Sequence, residues 1–214
     1  KKKKKKKKKK KIEFVTEIKQ NNKRKELREN LNIPQDHKVI FSGGKFTPAK
    51  KTDLLLEAFL EINRPDLHLI IVGDADEKNL LYKNKLVDLS SNNPNIHWVG
   101  WQNNRGVYEH LVASDLAVFP ASQSIVWQQA LAAHLPLIVG DVGEQSLHYL
   151  NEFKAIIELE KNEITVENIK NAILETITDE NLAEGKLRAA KTSAKYLDWN
   201  HLINKTLSHV KDPL

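Results

Sequence analysis

The sequence predicts an α/β fold: a doubly wound parallel sheet with helices on both faces and more helices toward the C-terminus. Three observations carry this expectation. Short apolar runs and helical periodicities alternate six times along the chain. The apolar runs are continuous rather than alternating in and out, as strands covered on both faces read. Four of them stop at Gly, at Gly43-Gly44, Gly73, Gly100 and Gly140, where backbone can approach a ligand closely.

Taken in order, Lys38-Val39-Ile40-Phe41-Ser42 reads as a buried strand ended by Gly43-Gly44. Residues 53–62 follow as a helix, with Leu55, Phe59 and Ile62 at helical spacing. Residues 67–72 are a second strand, 77–89 a helix, 96–99 a strand, and 104–113 a helix with Val107 and Leu111 on one face. Residues 116–119 form a strand ending at Pro120, 125–134 a helix, and 137–139 a strand. A helix over about 144–150 and a sixth strand at Ala155-Ile156-Ile157 complete the alternation. In the helical tail, Val166, Ile169 and Ile173 share one stripe. Trp199, Ile203, Leu207 and Val210 share another, after Asp198 as a candidate N-cap. A sheet of this kind binds ligands beyond the carboxyl ends of its strands.

The chain has 214 residues, enough for one domain, and its 40% hydrophobic content suffices for a core. The formal charge of +6 comes from residues 1–11, all lysine. The other 203 residues hold 23 Lys+Arg against 28 Asp+Glu, a balance of −5. An acidic body argues against a nucleic-acid-binding surface. Eleven like charges cannot pack. The lysine run reads as an artefact or as placeholder residues rather than a polybasic membrane anchor, which stays the alternative. Zero cysteines exclude a disulfide scaffold and thiolate metal sites. Zero methionines imply a chain trimmed at its start. No apolar run approaches the roughly 20 residues of a spanning helix, and no signal peptide is visible. The expected setting is cytoplasmic, with peripheral attachment to the inner face of a membrane left open.

Three stretches can carry chemistry. In Ser42-Gly43-Gly44-Lys45-Phe46-Thr47-Pro48-Ala49-Lys50-Lys51, glycines and lysines sit between a strand and a helix. Glycines let N–H groups approach a phosphate, a helix start adds partial charge, and Lys45 and Lys50 add full charge. The Walker spacing is absent, and a solvated turn is the alternative. In residues 120–130, Ser122, Ser124, Ile125 and Val126 lead into a helix whose free N–H groups face the same cleft, with Gln129 one turn inside. The alternative is a Ser N-cap on an ordinary helix. Gly140-Asp141-Val142-Gly143-Glu144 offers two carboxylates, or a turn with a capping acid. Trp101, after Gly100, can stack on a base or simply pack. The eight histidines form no metal-ligand spacing, and no nucleophile–His–acid triad assembles.

Taken together, these residues resemble the C-terminal, donor-binding domain of GT-B glycosyltransferases of the retaining kind, glycosyltransferase family four. The resemblance covers residues 23–210. Gly44, Lys45 and Lys50 stand where the family has Gly, Arg and a Lys five residues later, and residues 53–59 are also family-like. Residues 69–74 resemble its second strand, and residues 95–101 the strand and loop whose backbone holds the base. Residues 113–120 resemble the stretch before its E-x₇-E motif, and Tyr196-Leu197-Asp198-Trp199 the terminal helix that crosses to the partner domain. The chain departs from the family at that motif. Gln129 takes the place of the second glutamate, Ser122 to Ser124 stand nearest the first, and His134 replaces a usual Gly.

The resemblance implies a UDP-sugar donor site in residues 23–214, with residues 12–22 as the exit of an interdomain linker. Within that site, Lys45 and Lys50 are the catalytic charges on the departing diphosphate. Gly43, Gly44, Trp101, Ser122, Ser124, Ile125, Val126 and Gln129 are the donor contacts. It also implies no cofactor and no metal, an N-terminal acceptor domain missing from this chain, and a glycan or lipid-linked acceptor. A GT-B sugar-nucleotide epimerase and a non-catalytic nucleotide-sugar-binding module are the alternatives.

Overall fold

Strands β1 (Lys38–Lys45), β2 (Leu67–Asp74), β3 (Ile96–Gly100), β4 (Leu116–Phe119), β5 (Leu137–Gly140) and β6 (Ile156–Leu159) form one sheet in the order β3-β2-β1-β4-β5-β6. All five pairings are parallel. The structure is a computed structural model that describes residues 20–91, 93–121, 124–142 and 148–198. Helices α2 (Thr52–Ile62), α3 (Leu80–Ser90), α4 (Asn104–Ala113), α5 (Val126–Ala132), α6 (Val166–Thr176) and α7 (Asp179–Thr192) flank the sheet. The doubly wound parallel fold expected from the sequence is the fold observed.

The continuous apolar runs are explained by two cores, one on each face. Within β1, Ile40 belongs to one core while Val39 and Phe41 belong to the other. Leu69 and Ile71 of β2 likewise oppose Ile70 and Val72, and Leu116 and Val118 of β4 oppose Ala117 and Phe119. The first core packs on Leu55 and Phe59 of α2, Leu86 of α3 and Ile173 of α6. The second packs on Leu111 of α4, Trp127 and Leu131 of α5, and Ala189 of α7. Residues 39–42, 67–73, 116–119 and 137–140 are therefore inside, whichever way their side chains point, whereas the edge strands β3 and β6 are partly exposed.

Several elements differ from the sequence expectation. β1 does not stop at Gly43-Gly44 but continues to Lys45, in register with Gly73 and Asp74 of β2. The helix expected at residues 77–89 opens as a 3₁₀ turn, Glu77–Asn79, before α3. The sixth strand runs two residues further than expected, to Leu159. Of the helix expected over 144–150, residues 144–147 lie outside the described residues and 148–150 form a turn. The stripe from Trp199 to Val210 also lies outside them, and α7 continues into a π-helical turn, Ser193–Leu197.

A helix spanning residues 20–30, here α1, was not expected at all. Its inward stripe is Arg24, Leu27, Arg28 and then Leu31, so half of it is charged. Arg28 is fully buried. It donates from Nε to Ala113 O and from Nη1 to Gln35 O and His37 O, and its Nη2 meets Asp115 Oδ2 at 2.7 Å. Arg24 Nη2 and Lys186 Nζ reach Asp115 Oδ1 at 2.7 and 2.9 Å, and Val39 N–H donates to Oδ2. Burial alone would raise the Asp115 carboxyl, but Lys186, Arg24 and Arg28 outweigh it and hold it down at about 2. Beside this cluster, His37, His68 and His97 form a chain of imidazoles with N···N distances of 2.9 and 3.0 Å. Burial, then the neighbouring imidazoles, hold His68 down to about 4.

Helix α5 ends two residues before the sequence expectation, at Ala132, for a local reason. His134 N–H bonds Leu131 O and Leu135 N–H bonds Ala130 O, a Schellman turn that places His134 at φ 62°. A side chain in that left-handed conformation costs about 1–2 kcal/mol. His134→Gly should therefore raise stability by about 1 kcal/mol in urea unfolding, with the denaturant slope unchanged.

The pH dependence has a defined sign. Unfolded His68 takes up a proton near 6.5, whereas the folded group resists until about 4. Stability is thus full above pH 6.5 and falls, by about 3 kcal/mol, as pH drops to 4. Asp115 adds a second loss below the ordinary 3.8, complete as pH falls through about 2. Urea titrations across pH 8 to 3 should show the first slope, and His68→Gln should reduce it, leaving the part that His97 and His134 contribute through their own burial-lowered pKa values.

Candidate functional site

The sheet order reverses between β1 and β4, so the chain leaves β1 toward one face and β4 toward the other. A crevice opens where the two strands part, at their carboxyl ends. There the structure has a cleft of about 340 Å³. Gly43, Gly44, Lys45, Lys50, Trp101, Ser124, Ile125, Val126 and Gln129 all line it. These nine residues come from three separate stretches of sequence. Ser122 lies outside the described residues.

The floor is backbone. Gly44 pairs with Gly73, at φ 126° and 139°. A Cβ on Gly73 would sit 1.9 Å from Gly44 O, and one on Gly43 would sit 2.4 Å from Val72 O. Only glycines allow this contact, which keeps side chains out of the region between β1 and β2.

One wall carries the two lysines. Lys50 ends the 3₁₀ turn Pro48–Lys50, where its N–H bonds Thr47 O at 2.9 Å. It is partly buried, and desolvation lowers its pKa below the usual lysine value. Lys45 closes β1, and its Nζ lies 2.7 Å from Asp76 Oδ2. The opposite wall is the start of α5. Ser124 Oγ accepts from Val126 N–H at 3.3 Å, and Ser124 O accepts from Trp127 N–H. The N–H groups of Gln128 and Gln129 bond Ile125 O. The amides of residues 126–129 are thus engaged within the turn, which differs from the expectation of free N–H groups.

The third side is the segment after β3. Gly100 turns at φ 74° and Trp101 follows, 68% exposed at the cleft edge. Gln102 folds back to donate to Val99 O, and Asn103 Oδ1 caps α4 by accepting from Gly106 N–H. A Cβ on Gly106 would approach Gln102 Oε1 to 2.5 Å, so a side chain there would push the Gln102 amide aside. Ile125, 72% exposed, stands on the far rim.

Sequence reasoning missed Phe41, Val72, Gly73, Gln102, Asn104 and Val107 as lining residues. Gly73 was visible as a strand end, and Gln102 and Asn104 lie close behind Trp101. Phe41 and Val72 read only as core. Asp141 is not on the described lining; its N–H bonds Leu159 O and ties β5 to β6. Glu144 lies outside the described residues. Among the described residues, no group of three His, Cys, Asp or Glu can hold a metal ion. No helix there is long and apolar enough to cross a membrane.

Solved structures of known proteins share this fold. HepE from Anabaena, in complex with UDP and glucose, superposes with a TM-score of 0.70 at 18% identity, over 87% of this chain and 52% of that one. The C-terminal domain of LpcC, a glycosyl transferase group 1 family protein of Francisella tularensis, gives 0.69 at 16% identity, over 82% and 93%. A lipopolysaccharide 1,2-N-acetylglucosaminetransferase of Salmonella typhimurium is 36% identical over 63 residues, 28% of this chain and 16% of that protein. The chain thus spans about half the length of HepE, and its match to the Salmonella enzyme covers less still. The profile of the family described as Glycosyl transferases group 1 matches residues 23–193, most of the sheet and its helices. On that match, the chain belongs to the glycosyl transferases group 1 family.

Proposed function

We propose that the cleft between β1 and β4 binds a UDP-sugar. In this reading the chain is the donor half of a transferase that moves the sugar to a glycan or lipid-linked hydroxyl with retention. The observation that carries the proposal is the lining. Two lysines and a glycine floor converge on one crevice with a polar helix start, and none of the described lining residues is an Asp, Glu or His. That lining suits holding an anionic leaving group. It disfavours an epimerase, which needs acid and base groups at the sugar. Two relatives support the choice of ligand and acceptor. HepE is described with UDP and glucose, and the Salmonella enzyme is named for adding N-acetylglucosamine to lipopolysaccharide.

In the transfer, the bond from the anomeric carbon to the diphosphate oxygen breaks, and the oxygen leaves with the electron pair. The acceptor oxygen bonds the same carbon on the same face, and its proton passes to the departing diphosphate oxygen. The chemical burden on this chain is the charge that develops on the diphosphate. Lys50 is partly desolvated, so its ammonium would interact with that charge more strongly than a lysine fully in water. Lys45 supplies a second charge from the end of β1. With two ammonium groups in place, no divalent metal is needed. Gln129 replaces a charged acceptor by an amide that can accept one hydrogen bond and donate another to a sugar-ring hydroxyl.

Calorimetry with UDP and uridine tests the site. Lys50→Ala should weaken UDP by about 1.5–3 kcal/mol and leave uridine unchanged, because the lost contact is to charge. Equal losses for both ligands would place Lys50 away from the phosphates. Gln129→Ala should weaken UDP by about 0.5–1.5 kcal/mol, and Gln129→Glu should preserve or tighten it.

The reaction itself has a separate check. Joined with an acceptor-binding half, the chain should transfer sugar in the presence of EDTA. An absolute requirement for Mg²⁺ or Mn²⁺ would count against charge stabilisation by the lysines.

A further inference from the structure

The ammonium of Lys45 meets a carboxylate that comes from the loop after the next strand. The register of β1 on β2 sets Lys45 beside Asp74, and Asp76 lies two residues further on. Asp76 Oδ2 sits 2.7 Å from Lys45 Nζ. The other carboxylate oxygen accepts from Asn79 Nδ2, and Asp76 O accepts from Asn79 N–H, so the group is held from behind by the turn Glu77–Asn79. Asp74 does not compete for Lys45: its Oδ1 meets Lys83 Nζ at 2.6 Å and accepts from Ala75 N–H. Asp76 itself is not among the residues lining the cleft, whereas Lys45 is. The carboxylate therefore holds Lys45 from outside the site.

We propose that Asp76 occupies Lys45 in the free protein as an internal substitute for the donor's phosphate. The arriving diphosphate displaces it, so Asp76 sets how tightly the anionic part of the donor binds. This rests on the donor-site reading above. The pair is half exposed, at 52% for Lys45 and 40% for Asp76, so it is weak enough to exchange. Releasing an exposed pair of this kind changes affinity by about 1.5- to 5-fold. The same carboxylate also makes the cleft less attractive to small anions that bring fewer contacts than a nucleoside diphosphate. Asp76 is a positioning residue for Lys45, and its influence passes entirely through that side chain.

The test is calorimetry of UDP and uridine on the unaltered chain, Asp76→Asn, Lys45→Ala and the double variant. Asp76→Asn keeps the contact with Asn79 and should tighten UDP about 1.5- to 5-fold while leaving uridine unchanged. In the Lys45→Ala background the same change should have no effect. Unchanged UDP affinity in Asp76→Asn overturns the proposal. So does an equal gain with or without Lys45, since that is only the removal of a nearby negative charge. If the unaltered chain binds neither ligand, the donor-site reading falls and takes this proposal with it; if it binds UDP, the outcome bears on Asp76 alone.

Discussion

Asp115 sits at the start of β4, with Arg24, Arg28 and Lys186 bonded to its two oxygens. The backbone N–H of Val39 completes the set from β1. These partners belong to α1, β1 and α7, so one carboxylate joins four parts of the fold. The direct pairing of β1 with β4 is short, Ile40 with Leu116 and Phe41 with Ala117. It has to be short, because the two strands diverge there to make the crevice. The Asp115 cluster supplies at the amino end the fixed spacing that the ladder cannot supply at the carboxyl end. Burying these charges is costly, and the cost is offset only because the carboxylate and Arg28 find partners on every side. Removing one partner would strand a buried charge, which makes the cluster a single unit rather than a set of separate bonds.

The cleft depends on that spacing in a second way. Its floor is made by a backbone-to-backbone approach, Gly43 and Gly44 against Val72 and Gly73, and has no side chains to adjust it. Its walls come from chain segments that leave the sheet toward opposite faces. A small shift of β4 against β1 would therefore move Gln129 and Ser124 relative to Lys50 directly. The two cores resist such a shift because side chains from both faces interlock with helices on each side.

The two lysines are restrained by different physics. Lys50 holds its ammonium in a partly desolvated place, where burial lowers its pKa. Lys45 stands in water at the rim, where its charge is balanced by Asp76. With Asp76 beside Lys45, the rim of the cleft is less positive than its lysines alone would make it.

Much of this was legible in the sequence because it obeys local rules. A strand buried on both faces must be apolar throughout, so 38–42, 67–72, 116–119 and 137–139 read as strands without any partner in view. Backbone that approaches backbone, or turns at positive φ, favours Gly, so Gly43, Gly44, Gly73 and Gly100 marked the carboxyl ends of these strands. The nine described site residues proposed from the sequence fall in one cleft because strand ends of a doubly wound sheet converge by topology. The tertiary structure decided the rest. Helix α1 was unreadable because its buried stripe contains Arg24 and Arg28, which look solvated until Asp115, some ninety residues away, is brought beside them. The pairing of Lys45 with Asp76 depends on the register of β1 against β2, which no local pattern contains. Hydrophobicity and backbone sterics act on each residue where it stands and so appear in the sequence. Charge pairing acts between residues that only the fold makes neighbours.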